Sequence, residues 1–277
     1  MTTRRLLSRR QLLGTGLVTI GGLTIGRRVR AQARPSGTRP VFVFVFLRGA
    51  MDGLAALQPL ETAPISALRP DLVVPPASLV SLSNAELGFH PALTPLAEMY
   101  EAGELAALHG VGAPSTTRSH FDAQAFIEAG LAERASSTGL LTRVQQSLAP
   151  SESPVQAVAL ADTPPATFYG AERMVAAGDL HQLRIGRGGP VGHVLQARLA
   201  SLWGEASSAD LRDAASRALE AVDTVSLVEQ AAADAPEPEI RRFQQLAELI
   251  RLDVGVELGF VDIGGWDTHV RQGTTDG

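Results

Sequence analysis

Seven consecutive apolar residues, VFVFVFL at 41–47, constrain this 277-residue chain more than any other feature. A strand with one wet face alternates apolar and polar residues, whereas a strand buried on both faces does not, and such strands belong to parallel sheets covered by helices. The run ends in RGAMDG, whose glycines permit a sharp turn, so the first strand delivers Asp52 to a loop at its carboxyl end. In open α/β sheets that edge is where ligands bind. The predicted fold class is α/β, a doubly wound, mostly parallel sheet with flanking helices.

Later segments continue the alternation of strand and helix. A helix is expected from Pro91 to about Ala102, with Leu93, Leu96, Ala97 and Tyr100 on one face, and a second buried strand over Leu105–Val111. The loop GAPSTTR then leads through Ser119 into a helix from His120 to about Gly130, and a third strand is read at Gln156–Leu160. The Pro/Gly-rich stretch from Asp162 to Pro190 reads as irregular. Helical spacing returns over a block at 190–254, covering Val191–Trp203, Ala209–Ala232 and Glu237–Val254, with the last two parted by ADAPEPE. This block is expected on one face of the sheet. A final strand at Leu258–Ile263 feeds GGWDTH.

The amino terminus reads as a leader rather than as part of the fold. SRRQLLG places Arg9 and Arg10 before a modest apolar run, and Ala31-Gln32-Ala33 supplies a small-x-small cleavage site. Leu12–Ile25 covers 14 residues, short of the roughly 20 needed for a helical membrane span. The domain reading is a twin-arginine signal peptide at 1–33, a linker at 34–39 and the α/β domain at 40–277. The implied partner is the twin-arginine translocase during export, and the implied location is periplasmic or secreted. Of 24 arginines the leader holds seven, so 17 remain against 29 acids, a net charge of about −12 that argues against nucleic acid as a partner. The chain has no cysteine and no lysine, which excludes thiolate chemistry, a disulfide framework, a Schiff base and a Walker-type lysine.

Taken singly, each polar candidate has two readings. Asp52 before Gly53 is common turn chemistry, or a ligand at a strand end. Ser119 is an N-cap with Asp122 completing a box-like arrangement, or a functional hydroxyl. His120 is next to it in sequence, and neighbours on a helix do not face each other, so Ser-His-x-Asp is not a protease triad. Asp267 and His269 are two apart and point to one side of an extended segment, a carboxylate and an imidazole suited to zinc or manganese. The same pair also reads as a carboxylate orienting a structural histidine, and two ligands are an incomplete catalytic metal site. His90 reads as a helix-start residue and His109 as a core histidine.

FVFLRGAMDGL, GVGAPSTTRSHFDAQ, TGLLTR at 138–143 and DIGGWDTHV resemble, in order and spacing, the twin-arginine-exported domain-of-unknown-function family 1501, grouped with the alkaline-phosphatase-like superfamily. The resemblance runs from about residue 41 to the end, and RSHF and GGWDTH are its most specific parts. It implies an alkaline-phosphatase-like domain with Asp52, Asp267 and His269 as metal ligands and Ser119, or His120 beside it, as the reactive group. Arg48 or Arg118 would hold an anionic oxygen of the substrate. The implied function is a metal-dependent hydrolase of phosphate or sulfate esters. Family members continue into a further Asp-His pair that this sequence lacks, so the expectation is an inactive fragment missing the carboxyl-terminal part, holding zinc or manganese weakly. The alternative is a non-catalytic exported envelope protein that binds a partner through the same sheet edge.

Overall fold

A computed structural model describes residues 40–49, 51–83, 86–112, 115–131, 137–149, 151–183, 185, 189–228 and 237–268. Arg9 and Arg10 in the expected leader, the expected linker at 34–39 and His269 lie outside these residues. In chain order the elements are β1 (Phe42–Leu47), α1 (Gly53–Ala56), β2 (Leu57–Pro59), α2 (Ala63–Ser66), β3 (Val80–Ser81), β4 (Leu87–Phe89), α3 (Thr94–Glu101), α4 (His120–Ala129), α5 (Leu140–Ser147), β5 (Ala157–Leu160), β6 (Met174–Ala176), α6 (Gly189–Gly204), α7 (Ala209–Ser226), α8 (Pro238–Arg251) and β7 (Leu258–Ile263).

Four strands form a parallel sheet in the order β1-β7-β5-β6, with helices on both faces. The fold is therefore α/β with a parallel sheet, and the last described strand lies inside it. Side chains divide the faces by parity. Ala157 and Ala159 of β5 are small enough to leave room for the rings of Phe46, Phe168 and Phe260 on one face, where Leu141 of α5 closes the cluster. Val158 and Leu160 point to the other face, which Val225 of α7 and Leu246 and Leu249 of α8 cover. The expected placement of the helical block on one face holds for α7 and α8. Helix α6 packs against α7 instead and leaves Val191, Val194 and Leu202 exposed.

Between β1 and α4 lies a second, three-stranded antiparallel sheet, β2-β4-β3, with its own core of Leu57, Leu82, Phe89 and Ala97. Gln58 is fully buried there and pins Val74 by two bonds, donating to its carbonyl at 2.8 Å and accepting from its amide at 3.0 Å. That pairing gives an unregular segment the backbone satisfaction a strand would have.

Three sequence expectations need correction. The second buried strand does not form: 105–111 is irregular, with Leu108 57% and Val111 62% exposed, and His109 is exposed rather than in the core. Ala106, Ala107 and Gly110 are poor strand formers and Val111 is the one β-branched residue of the run; its described packing is Leu105 and Ala107 against the small sheet. Strand β1 forms one residue shorter than read and, instead of being buried on both faces, occupies the rim among the described strands, with Phe42 55%, Val43 36% and Val45 39% exposed. The stretch read as irregular contains β6, three residues long.

Candidate functional site

The carboxyl ends of β1 and β7 lie side by side, because the strands pair in parallel with Leu47 opposite Ile263. Their outgoing loops are stitched together: Arg48 N donates to Ile263 O at 2.8 Å and Trp266 N to Arg48 O at 3.1 Å. Gly49 has φ 105 and sits against the Asp267 backbone, where any Cβ would collide. A glycine is required there on both counts, left-handed backbone and close approach.

Arg48 is the hub of this edge. Its Nε donates to both Asp262 oxygens at 2.8 and 2.9 Å, Nη1 to Gln124 Oε1 at 3.0 Å and Nη2 to Glu128 Oε1 at 3.0 Å. The guanidinium also stacks 4.8 Å above the Phe46 ring. Burial acts to lower its pKa, but the bonds and charges of Glu128 and Asp262 outweigh that and raise it. One side chain thus ties β1 and β7 to α4, and so sets where the amino terminus of α4 sits. An anionic ligand at Arg48 would compete with two carboxylates already bound.

Ser119 is the N-cap of α4, its Oγ accepting from Asp122 N at 3.3 Å. Thr117 braces the same turn, its Oγ1 donating to Asp122 Oδ2 at 3.1 Å and accepting from Ser119 N at 3.2 Å. Arg118 is exposed beside them. In the first turn, His120 Nε2 lies 3.6 Å from Asp267 Oδ1, and both side chains are partly exposed at 40% and 45%. Of the residues read from sequence, these two are the pair from separate elements that the fold brings together. They arrive from the start of α4 and the loop after β7.

Asp52 is engaged elsewhere. It caps α1, accepting from Leu54 N and Ala55 N at 3.1 and 3.2 Å, and Arg69 pairs with both its oxygens. Burial tends to raise its pKa, but Arg69 and the two amides prevail and lower it. Among the described residues no group of three or more His, Asp or Glu side chains could hold a metal ion. The described donors therefore do not fit a metal centre by themselves: Asp52 has its oxygens taken, and Asp267 stands beside His120.

Further along the same edge, Arg242 of α8 links three strands, donating to Asp262 O at 2.7 Å, Asp162 Oδ1 at 2.9 Å and Gly178 O at 3.2 Å. Asp179, after β6, accepts from Gln245 Nε2 at 2.7 Å and Arg241 Nη1 at 3.3 Å. Burial pushes the Asp179 carboxyl up, and the Gln245, His181 and Arg241 interactions bring it down to a net lowering. A groove of about 820 Å³ between α6 and α7, with His193, Trp203 and Arg212 among its walls, is remote from this edge.

Asp262, Glu128, Gln124 and Arg69 were not read from sequence. The signal for the first two was present: a carboxylate inside LGFVDI, and another on a helix that must pack on the sheet, each demand a buried cation. No family model matches the chain, and searches of curated proteins and of solved structures likewise give no match.

Proposed function

We propose that the carboxyl edge of β1 and β7 is the hydrolytic centre of an exported, alkaline-phosphatase-like enzyme acting on phosphate or sulfate esters. The observation that carries this reading is the meeting of His120 and Asp267 at 3.6 Å from two separate elements, beside the amino terminus of a ten-residue helix. Free amides at such a terminus favour an anionic group. In this reading the ester lies across that terminus, Asp267 orients the His120 imidazole, and His120 moves a proton at the reacting oxygen. Ser119 offers the hydroxyl nucleophile: it gives up its capping bond to Asp122 N, its oxygen bonds the phosphorus or sulfur as the ester oxygen leaves with the proton from His120, and its own proton passes to solvent. Zinc or manganese, weakly held, would enter through Asp267 with His269 and neutralise charge on the transferring group. No step is assigned to it, because the described donors alone do not make its site.

The parallel strand order and the carboxyl-edge position of the polar residues support the alkaline-phosphatase-like relation without being specific to it. Export by the twin-arginine route rests on SRRQLLG, and no described helix is long and apolar enough to cross a membrane. Replacing Arg9 and Arg10 by lysine should leave precursor in the cytoplasm; unchanged export would remove the leader from the account.

One observation favours the non-catalytic alternative, in which the edge docks an envelope partner: Arg48 and Asp52 are spent on internal pairs. The deciding experiment is an assay of the complete gene product for bound zinc and manganese and for turnover of p-nitrophenyl phosphate and p-nitrophenyl sulfate. Turnover supports the hydrolase; a metal-free, inactive protein would replace it with the binding role.

A further inference from the structure

The amino end of the same sheet carries a second polar site, built around Arg173. A cavity of about 350 Å³ opens where the chain enters β5 and β6, with Gln145, Ser151, Glu152, Gln156, Glu172 and Arg173 among its lining. That is within the size range of small-molecule sites.

Two features set Arg173 apart. Its backbone is left-handed, with φ 51, and among the described residues Asp253 is the one other non-glycine at positive φ. Aspartate tolerates that region; arginine is costly there and persists only where the surroundings impose it. They do so here. The buried Gln145 amide clamps Glu172, donating to its carbonyl at 2.6 Å and accepting from its amide at 3.3 Å, while Arg173 O accepts from Gln156 N at 2.9 Å and Ala157 N at 3.2 Å.

The second feature is the guanidinium. Every other half-buried arginine among the described residues, at 48, 69, 143, 212, 241 and 242, donates its side chain to a protein acceptor. Among the described residues Arg173 donates its side chain to none, and it lines the cavity instead. The backbone at Arg173 is fixed by Gln145 and Gln156, and no described residue takes up its side-chain donors, so the fork is left to a ligand.

We propose that this cavity binds a small zwitterion of the α-amino-acid type, its carboxylate on the Arg173 fork and its ammonium toward Glu152 and Glu172. The lining selects this class by charge. One guanidinium with two carboxylates repels a simple anion through the acids and a simple cation through the arginine, and only a ligand carrying both signs satisfies each. Gln156 is already fixed, donating to Glu257 at 2.6 Å, so the polar wall is set before a ligand arrives. This site is independent of the hydrolase reading, since it lies at the opposite end of the strands.

The test is a titration of the purified chain with glycine, acetate and methylammonium, followed by NMR shifts of the arginine Nε–H and glutamine side-chain amides. Glycine should saturate with a Kd on the order of 1 mM, and acetate and methylammonium should bind at least about ten-fold more weakly. R173Q, which keeps a Cβ at this position, should weaken glycine at least about ten-fold with the fold intact. R173G should lose glycine and raise Tm by about 2 °C, because glycine suits the left-handed backbone. Acetate binding as tightly as glycine, glycine binding unchanged in R173Q, or a lowered Tm in R173G would overturn the proposal.

Discussion

Strands β1 and β5 invert the order their sequences suggest. β1 is the more apolar, FVFVFL with three phenylalanines, yet only Phe46 in it is buried. β5 is AVAL, shorter and with smaller side chains, and all four residues are fully buried. The difference is place in the sheet: β5 has β7 on one side and β6 on the other, while among the described strands β1 pairs with β7 alone. Because Phe42 N bonds to Glu257 O and Arg48 N to Ile263 O, the backbone groups of Val43, Val45 and Leu47 face the open side. Apolar content states what a strand can bury; neighbours decide what it does bury.

The sharpest way to break this comparison is to make the same change at the centre of the sheet, on β7 beside β5, and at its rim on β1. Phe260→Ala removes a ring that meets Phe44, Phe46 and Phe168 at the sheet centre and should cost about 4 kcal/mol in urea unfolding. Phe42→Ala, on the rim, should cost under about 1 kcal/mol. Equal losses would mean that β1 is as buried as its composition suggests.

Arg48→Met comes next. It leaves Glu128, 6% exposed, without its cation, and should destabilise by about 3 kcal/mol at neutral pH. A variant as stable as the parent at pH 7 would show that the hub holds nothing.

Asp52→Asn should cost only about 1 kcal/mol, since an asparagine still caps and the Arg69 pair is partly solvated. The sign with pH follows from the lowered carboxyl. Asp52 binds its proton less readily folded than unfolded, so its contribution is full above the ordinary aspartate range near about pH 4 and fades as pH falls below it. Stability of the parent relative to the variant should therefore fall in acid; a difference that grew on acidification would contradict the Arg69 pairing.

The smallest effect is at the rim. Val45→Lys should change stability by less than about 0.5 kcal/mol while reducing self-association, because a charge on an open edge opposes strand addition. Light scattering against concentration checks it, and no change in association would mean that the edge is already protected.

Long-period signals were the legible ones. Residues Leu258–Ile263 form β7 as read, β1 begins one residue later than read, and α4 and α8 form within the spans read for them. The small sheet was not legible because strands of two or three residues carry no periodicity, and Gln58 does by side chain what a ladder does by backbone. The run at 105–111 misled for the opposite reason, an apolar composition made of residues that do not hold a strand. At the site, Ser119, His120 and Asp267 could be placed at strand and helix ends, but the capture of Asp52 by Arg69, 17 residues away, and of Arg48 by Asp262, 214 residues away, depends on the tertiary fold.

In the proposed hydrolase His120 and Asp267 act as one unit at the carboxyl edge. The measurement is ester turnover by the complete gene product and by His120→Ala, Asp267→Asn and the double variant, each confirmed folded. A positioned acid–base group is worth about 100-fold or more. Each single change should therefore lower turnover by at least about 100-fold, and the double variant should lose little beyond the worse single one, as expected of coupled residues. Full turnover in both single variants, or losses that simply multiply, would contradict it.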